Sequence, residues 1–429
     1  MIQGLVLHEG RASFRNRWVR TPKFVAEEAA GHGIFRWGDG KFEDYRFWGL
    51  GEVERDETNE GVPQGTNFIN VIPFGDDIIA LGEHCVPVAL DPQTLDTRGA
   101  VPWYSKLAPG MYTTAGAGAG TLGAHPKWDH ETKRLHGWSY RDQPPYVTLH
   151  WIEPDGTVNT RELWDAPFNS FLHDIWLTES YVVLPFQPFH MSLERIERGL
   201  GSFGWDPDLG TVLGLVPRDD INGEIKWIRA GFEAQYVMHT MSANEHDGKI
   251  VLDGPIFDKP PFQFDPDFPP GSGYAPPWKL STGYMGRWIV DVDAGVVKSE
   301  VTGDYAVEFP KIDERFYGRP YNYGLALAGF EHGMMLDSLV RRDIRTGTDE
   351  VYRIRKNDPI AIYEPSFIPR SADAPEGDGY VLLPVSHTAL NLGEFQLFDT
   401  TSISSGPIAK IQIPFGMSWT PHGHWKSGE

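Results

Sequence analysis

The chain of 429 residues holds a single cysteine, Cys85. That excludes an internal disulfide, a zinc ribbon and a thiolate-held iron–sulfur cluster, so any bound metal must take nitrogen and oxygen ligands. Positive charge is scarce as well: 38 Lys+Arg stand against 59 Asp+Glu, a net charge of −21. A nucleic-acid binder needs a basic face that displaces counterions from phosphates, and no Lys/Arg run here builds one. Long apolar runs are also missing. No stretch approaches the roughly 18 to 20 apolar residues that cross a bilayer, and the start, Met1 to Arg11, turns polar too quickly for a secretory signal. The expectation is a soluble, cytoplasmic protein with no nucleic-acid partner and no transmembrane segment. Helix signals are few: the best are residues 25–33 and 191–199, both short and both ending at a glycine, as a C-terminal cap would.

What is plentiful is aromatic and turn-forming residues. With 15 Trp, 16 Tyr, 24 Phe and 40% hydrophobic residues, the chain carries far more apolar surface than a disordered one. Runs of four to eight residues rich in Val, Ile, Tyr, Phe and Trp recur, at 68–73, 181–184, 249–252, 287–290 and 380–383; these read as strands. Between them stand turns such as Glu153-Pro154-Asp155-Gly156, Glu245-His246-Asp247-Gly248, Asp91-Pro92-Gln93-Thr94 and Asp129-His130-Glu131-Thr132. In such turns Pro fixes φ, Asp caps its own backbone and Gly accepts positive φ.

Length alone suggests two or three domains of roughly 150 residues, but no linker is visible. A long all-β chain must hide its sheet edges, and a β-propeller or a β-helix does so economically. Propeller blades would repeat at roughly 40 to 60 residues. No WD or Kelch signature appears, although a strand, an Asp-centred turn and a second strand recur unevenly from end to end. Two biased stretches are local. Thr114–Thr121 lacks the ending of a phosphate loop and reads as a flexible loop. Residues 260–270 are too proline-dense for a strand or helix interior and read as a surface excursion carrying three Phe.

Four of the 15 histidines end apolar runs: His125, His173, His239 and His422. Their spacing cannot be one helix or hairpin, so they meet only if the fold brings them together. A lone buried histidine is more often a hydrogen-bonded core residue than a ligand, and spacing by itself leaves both readings open. A metal-bound imidazole needs an acceptor on its other nitrogen, and three glutamates, Glu83, Glu308 and Glu364, lie in strand-like apolar settings. The series 125, 173, 239, 308, 364, 422 advances by 48, 66, 69, 56 and 58 residues, one marked position per blade. The alternative is that Glu308 and Glu364 are ordinary charges on edge strands.

Several segments carry a resemblance: residues 14–21, Ala124-His125-Pro126-Lys127-Trp128-Asp129, Leu172-His173-Asp174, Glu308-Phe309-Pro310 with Arg319-Pro320-Tyr321, residues 364–370, and Pro421-His422-Gly423. Over nearly the whole chain they resemble the carotenoid cleavage oxygenase family, which includes lignostilbene dioxygenases and isoeugenol oxygenases. The resemblance implies an all-β fold, a single seven-bladed β-propeller over residues 1–429, with a few short helices and loops capping the face of the active-site tunnel. It implies Fe(II) held by His125, His173, His239 and His422, with Glu83 behind His173, Glu308 behind His239 and Glu364 behind His422. His424 rivals His422, but the family's His-Gly-x-Trp ending matches His422-Gly423-His424-Trp425 and selects His422. The implied activity is that of an alkene-cleaving dioxygenase. O2 would split a C=C bond of a small hydrophobic conjugated substrate, an apocarotenoid or an aromatic alkene such as a stilbene or phenylpropene, into carbonyl products. Four neutral imidazoles suit Fe(II) better than zinc, whose catalytic sites generally use three protein ligands. The alternative reading is a metal-pinned propeller that binds a hydrophobic ligand without cleaving it; isomerase or hydrolase chemistry ranks below both. Transient contact with a membrane surface is compatible with either, and the oligomeric state is not indicated.

Two departures from the family accompany this resemblance. Family members carry further residues before the point where this chain begins, so the propeller is expected to lack the usual first strand segment. The Lys and Tyr that engage a phenolic hydroxyl in lignostilbene-type members are also missing: Gly82 stands before Glu83, and the Tyr region reads Ile34-Phe35-Arg36-Trp37-Gly38. Loss of a charge-assisted hydrogen bond worth about 1.5 to 3 kcal/mol moves the expected substrate toward a less polar polyene or a differently anchored alkene. The stretch between Glu83 and His125, with Trp103, Tyr104, Met111 and Tyr112, is expected to reshape the cavity.

Overall fold

Strands here follow the period-2 alternation of a sheet with one face packed inward. In Tyr284–Asp291, Gly286, Trp288 and Val290 are buried while Arg287, Ile289 and Asp291 are only half-buried. The computed structural model describes residues 1–37, 53–54, 56–63, 65–83, 85–110, 120–191, 203–261, 281–331, 334–354, 359–418 and 420–428. All the strand pairs within it are antiparallel neighbours joined mostly by short turns. At the turn after Ser242–His246, Asp247 and Gly248 take φ of 49° and 73°, the left-handed region that Asp and Gly tolerate.

The strands form the blades of a propeller. The first blade comprises Asn70–Phe74, Asp77–Leu81, Val88–Leu90 and Thr97–Ala100; the second Lys127–Trp128, Leu135–Tyr140, Val147–Ile152 and Val158–Leu163. The third contains Trp176–Leu177, Tyr181–Phe186, Val212–Pro217 and Lys226–Arg229. A seven-stranded sheet from Ser242–His246 to Thr348–Arg353 supplies the fourth and fifth blades, because Val296–Ile312 is shared. Its first part pairs with Tyr284–Asp291 and its second with Tyr323–Gly329. The sixth blade holds Ser366–Pro369, Gly379–His387, Leu392–Asp399 and Ala409–Ile413.

Each blade packs its apolar face on the next. Ile72 and Ile79 of the first blade share a core with Leu135 and Ile152 of the second, and Val183 and Leu213 of the third with Ile250 and Trp288 of the fourth. Leu325 and Leu327 of the fifth pack on Val381 and Phe398 of the sixth. Each fully buried Leu, Ile or Phe contributes roughly 1.5 to 3 kcal/mol. The seventh sector holds the hairpin of Ile2–His8 and Arg11–Arg17. Its Leu5 and Phe14 pack on Phe395 and Ile413 of the sixth blade, and its Ile2 on Ala80, Val88 and Leu90 of the first. Gln3 Nε2 donates to Ser418 Oγ at 3.0 Å, and Arg15 Nη1 donates to the Gln93 carbonyl. The chain of contacts therefore returns to where it began.

One α-helix occurs among the described residues, Pro22–Ala30. It starts three residues before the expected 25–33, because Thr21 Oγ1 accepts from the Phe24 N–H and Pro22 suits the first helical position. It stops at Gly31, at φ 73°, rather than at Gly33. The helix expected at 191–199 lies outside the described residues from 192 on, as do Thr114–Ala119, Met111, Tyr112 and residues 262–270. No helix among the described residues is long and apolar enough to cross a membrane.

Candidate metal centre

The marked residues sit where blades begin. His125 precedes Lys127–Trp128, His173 precedes Trp176–Leu177, His239 precedes Ser242–His246 and Glu364 precedes Ser366–Pro369. The first three of these strands open their blades and Ser366–Pro369 pairs with Gly379–His387 in the sixth, so their entry points converge at one end of the propeller axis. His422 arrives from the segment after Ala409–Ile413, and Glu83 follows Asp77–Leu81. One potential ligand nitrogen from each of His125, His173, His239 and His422 falls within 4.8 Å of the others.

Carboxylates back three of the four rings. His173 Nδ1 lies 2.5 Å from Glu83 Oε1, off the alignment of a linear hydrogen bond; Glu83 Oε2 accepts from the Tyr140 hydroxyl at 3.0 Å. His239 Nδ1 donates to Glu308 Oε2 at 2.7 Å. His422 Nδ1 donates to Glu364 Oε1 at 2.9 Å, and Glu364 Oε2 accepts from the Gly423 N–H at 3.1 Å. His424 stands outside the group, its Nδ1 2.8 Å from Glu314 Oε2. Among the described residues His125 has no carboxylate of this kind, and its Nε2 is buried without a partner.

Burial and neighbours set the protonation of these rings. Burial, then the three other imidazoles and Lys127, push His125 well below the ordinary histidine value. Burial brings His422 down to about 4 despite Glu364. For His239 burial acts downward too, but the charge of Glu308 and its hydrogen bond outweigh it and the value rises. Burial would raise Glu364, yet Lys311 and His422 hold it far below the usual carboxylate range.

Glu308 reaches His239 through a defect in its strand. The pairing of Val296–Ile312 with Tyr323–Gly329 slips between Glu308 and Lys311, Phe309 takes φ 53°, and Pro310 has no N–H to offer the ladder. Bulges of this kind re-aim side chains beside functional sites. The same turn of backbone stacks Phe309 on His239, with centroids 5.4 Å apart, while Phe171 stacks on His173 at 5.6 Å. A cavity of ≈ 850 Å³ reaches the centre from the seventh sector, lined by Leu5, Ile69, Leu382, Ser366, Glu364 and His422.

These residues fit a metal ion. With Nδ1 of His173 and His239 turned to carboxylates, their Nε2 atoms face each other at 3.2 Å as lone pairs, an arrangement that a cation between them relieves. Two opposite metal–nitrogen bonds of about 2.1 Å span about 4.2 Å, near the 4.8 Å spread of the four nitrogens. The buried carboxylates add the negative charge and the ring orientation that metal-bound imidazoles use.

The family model described as retinal pigment epithelial membrane protein, RPE65, matches residues 1–427. The chain belongs to the RPE65/carotenoid oxygenase family. This RPE65-family chain is 29% identical over 436 residues to isoeugenol monooxygenase of Pseudomonas putida, covering 98% of the chain and 85% of the relative. It is 27% identical over 444 residues to lignostilbene-α,β-dioxygenase isozyme III of Sphingomonas paucimobilis, covering 99% and 85%. The crystal structure of Pseudomonas brassicacearum lignostilbene dioxygenase superposes with a TM-score of 0.82 at 30% identity, covering 99% of the chain and 86% of that structure. The fold is the seven-bladed propeller of this family.

Several participants were not singled out by sequence reasoning. Tyr140 on Glu83, Lys311 and Glu314 beside Glu364, and the buried Lys127–Asp174 pair at 2.7 Å carry ordinary residue types on strands and their connecting turns. Their only signal was adjacency, Lys127 and Asp174 to ligand-like histidines and Lys311 to the Glu308-Phe309-Pro310 motif. The missing phenol-binding Lys has a steric side: a Cβ on Gly82 would lie 2.6 Å from the Thr66 carbonyl oxygen and 2.9 Å from Cys85 Sγ. Trp103 does not reach the centre; it is buried against Phe74 between the first two blades. Ile34 and Phe35 are both buried.

Proposed function

We propose that the chain is an Fe(II)-dependent oxygenase that cleaves a C=C bond of a hydrophobic conjugated alkene with O2. The observation that carries this reading is the four-imidazole group, three of its rings backed by buried carboxylates, in a chain of this family. On this reading His125, His173, His239 and His422 hold the metal, and Glu83, Glu308 and Glu364 hold the last three rings in the tautomer that leaves Nε2 free. Bound iron would supply the activation of O2, which a closed-shell protein side chain cannot provide. The protein's own contribution is orientation and exclusion of water: Phe171 and Phe309 wall the rings with apolar surface, and the blade cores keep them rigid. The balance needs no external reductant, since one C=C bond breaks and two C=O bonds form with both oxygens from O2. Residues 1–429 act as one propeller unit, held shut by the hairpin Ile2–Arg17, and the lone Cys85 is in keeping with a cytoplasmic setting. Because Gly82 leaves no room for a phenol-binding Lys, the favoured substrates are alkenes gripped by apolar contact, among them apocarotenoids, over 4-hydroxystilbenes.

The test is incubation of the iron-loaded protein under 18O2 with apocarotenoids, phenylpropenes and stilbenes, beside His239→Ala. Labelled aldehydes from the parent and none from the variant are expected. Iron binding with no labelled product from any alkene would replace this reading by a metal-pinned binder.

A further inference from the structure

Glu308 and Lys311 stand three apart on one strand, and in a regular strand they would face opposite sides of the sheet. The bulge at Phe309-Pro310 adds the residue that turns both inward. Glu308 goes to His239, and Lys311, buried to 5% exposure, goes to Glu364. Its Nζ lies 3.1 Å from Glu364 Oε2 and 2.8 Å from Glu314 Oε1, and Glu314 in turn holds His424. Of the three carboxylates behind histidines, Glu364 alone is paired with an ammonium among the described residues. Glu83 takes a Tyr140 hydroxyl and Glu308 the Phe309 N–H. The His422–Glu364 contact is also the longest of the three, 2.9 Å against 2.5 Å at Glu83 and 2.7 Å at Glu308.

We infer that Lys311 is a positioning residue that acts through Glu364 to make His422 the weakest donor of the three carboxylate-backed histidines. The inference rests on the metal-binding reading above. An imidazole gains basicity from the charge of the carboxylate behind it. A carboxylate whose charge is already taken up by an ammonium lends less of it to the ring. Lys311 also places a positive charge near the metal position, which lowers affinity for a cation directly. Both effects have the same sign, and the Gly423 N–H keeps Glu364 oriented when Lys311 is removed.

The experiment is a Co(II) titration of the full-length apo protein, followed by visible absorption and by the paramagnetically shifted imidazole N–H protons. Lys311→Met is expected to bind Co(II) about tenfold more tightly, a size typical of outer partners of metal ligands, and Lys311→Arg to match the parent. One N–H resonance, that of His422, should move in Lys311→Met while those of His173 and His239 stay. Unchanged or weaker binding, or equal movement of all three resonances, overturns the inference. Glu314→Gln leaves the ammonium wholly on Glu364 and is expected to weaken binding several-fold; it decides the matter if Lys311→Met does not fold, unchanged affinity then counting against. A parent protein that binds no Co(II) would instead sink the metal-binding reading itself.

Discussion

Nε2 of His173 and Nε2 of His239 lie 3.2 Å apart, and as neutral rings neither has a proton to give the other once its Nδ1 is turned to a carboxylate. Two lone pairs at that distance repel in a site this well buried, so the metal-free protein carries a local penalty that a cation removes. Adding Fe(II) or Co(II) to stripped protein at about 100 times its Kd is expected to add about 2.7 kcal/mol to unfolding free energy. The urea midpoint reads this; a midpoint indifferent to metal would show that the four rings are a core feature and not a binding site.

The carboxylates behind the rings should matter nearly as much as the rings. In Glu308→Gln the amide oxygen still accepts from His239 Nδ1, but the charge is gone and the second contact, from the Phe309 N–H, is weakened. A loss of about 10- to 100-fold in metal affinity is expected. Glu131, whose side chain is 70% exposed, provides the control: Glu131→Gln should bind metal as the parent does. Equal behaviour of the two variants in a Co(II) titration would remove Glu308 from the site.

How much of this was readable in the residues divides along physical lines. Strands such as Tyr181–Phe186 and Lys249–Ile256 announce themselves through β-branched and aromatic runs bounded by turn residues, because local propensity and burial agree there. Most of the histidine and glutamate markers were legible because His125, His173, His239 and Glu364 each sit just before an inner strand and recur at blade-like spacing. Lys311 was not: a regular strand would send it away from Glu308, and only the bulge, whose positive φ falls on a phenylalanine, reverses that. Nor was the role of the hairpin Ile2–Arg17, since its contacts with Phe395, Ile413 and Leu90 span nearly the whole chain. The helix Pro22–Ala30 begins three residues before the expected 25–33 because the expectation rested on the glycine at the far end, whereas Thr21 and Pro22 fix the start.

Gly82 offers a test of substrate preference that is independent of the metal. Its missing Cβ would meet the Thr66 carbonyl oxygen and Cys85 Sγ, and the first of these is backbone, which cannot swing aside as a side chain can. Gly82→Ala is expected to cost about 1 to 3 kcal/mol, the usual range for overpacking, measured by urea unfolding. Gly82→Lys should be at least as destabilising and should not confer cleavage of 4-hydroxystilbenes. A stable Gly82→Lys variant that gains that activity would show that the strand end at Leu81 yields more readily than its packing indicates.

Acid should destabilise the protein before its carboxylates titrate. Burial holds His150 down at about 3 and, with Lys133, His130 at about 4; His136 is lowered too, burial outweighing Asp129. In the unfolded chain each of these takes up a proton near pH 6.5. Between that pH and the depressed folded values the unfolded state therefore binds more protons, and stability falls as pH falls, by up to about 1.4 kcal/mol per pH unit for each group. His239 runs the other way: its raised value contributes stability below pH 6.5 that is lost as pH rises through the folded value, but it is one group against these three and the likewise depressed His125 and His422. Unfolding free energy of metal-free protein, followed by urea titration, should be nearly flat from pH 8 to 7 and decline from about 6.5 toward 4.5. His150→Asn should reduce that slope by about one group's share. His150 sits away from the metal centre, its Nε2 accepting from the Ala108 N–H at 3.3 Å and lying 2.9 Å from Ser139 Oγ, so the change in slope should appear without a change in Co(II) affinity at pH 7.5. An unaltered slope would mean that His150 is protonated in the folded protein and that its pairing with Ser139 holds a charge.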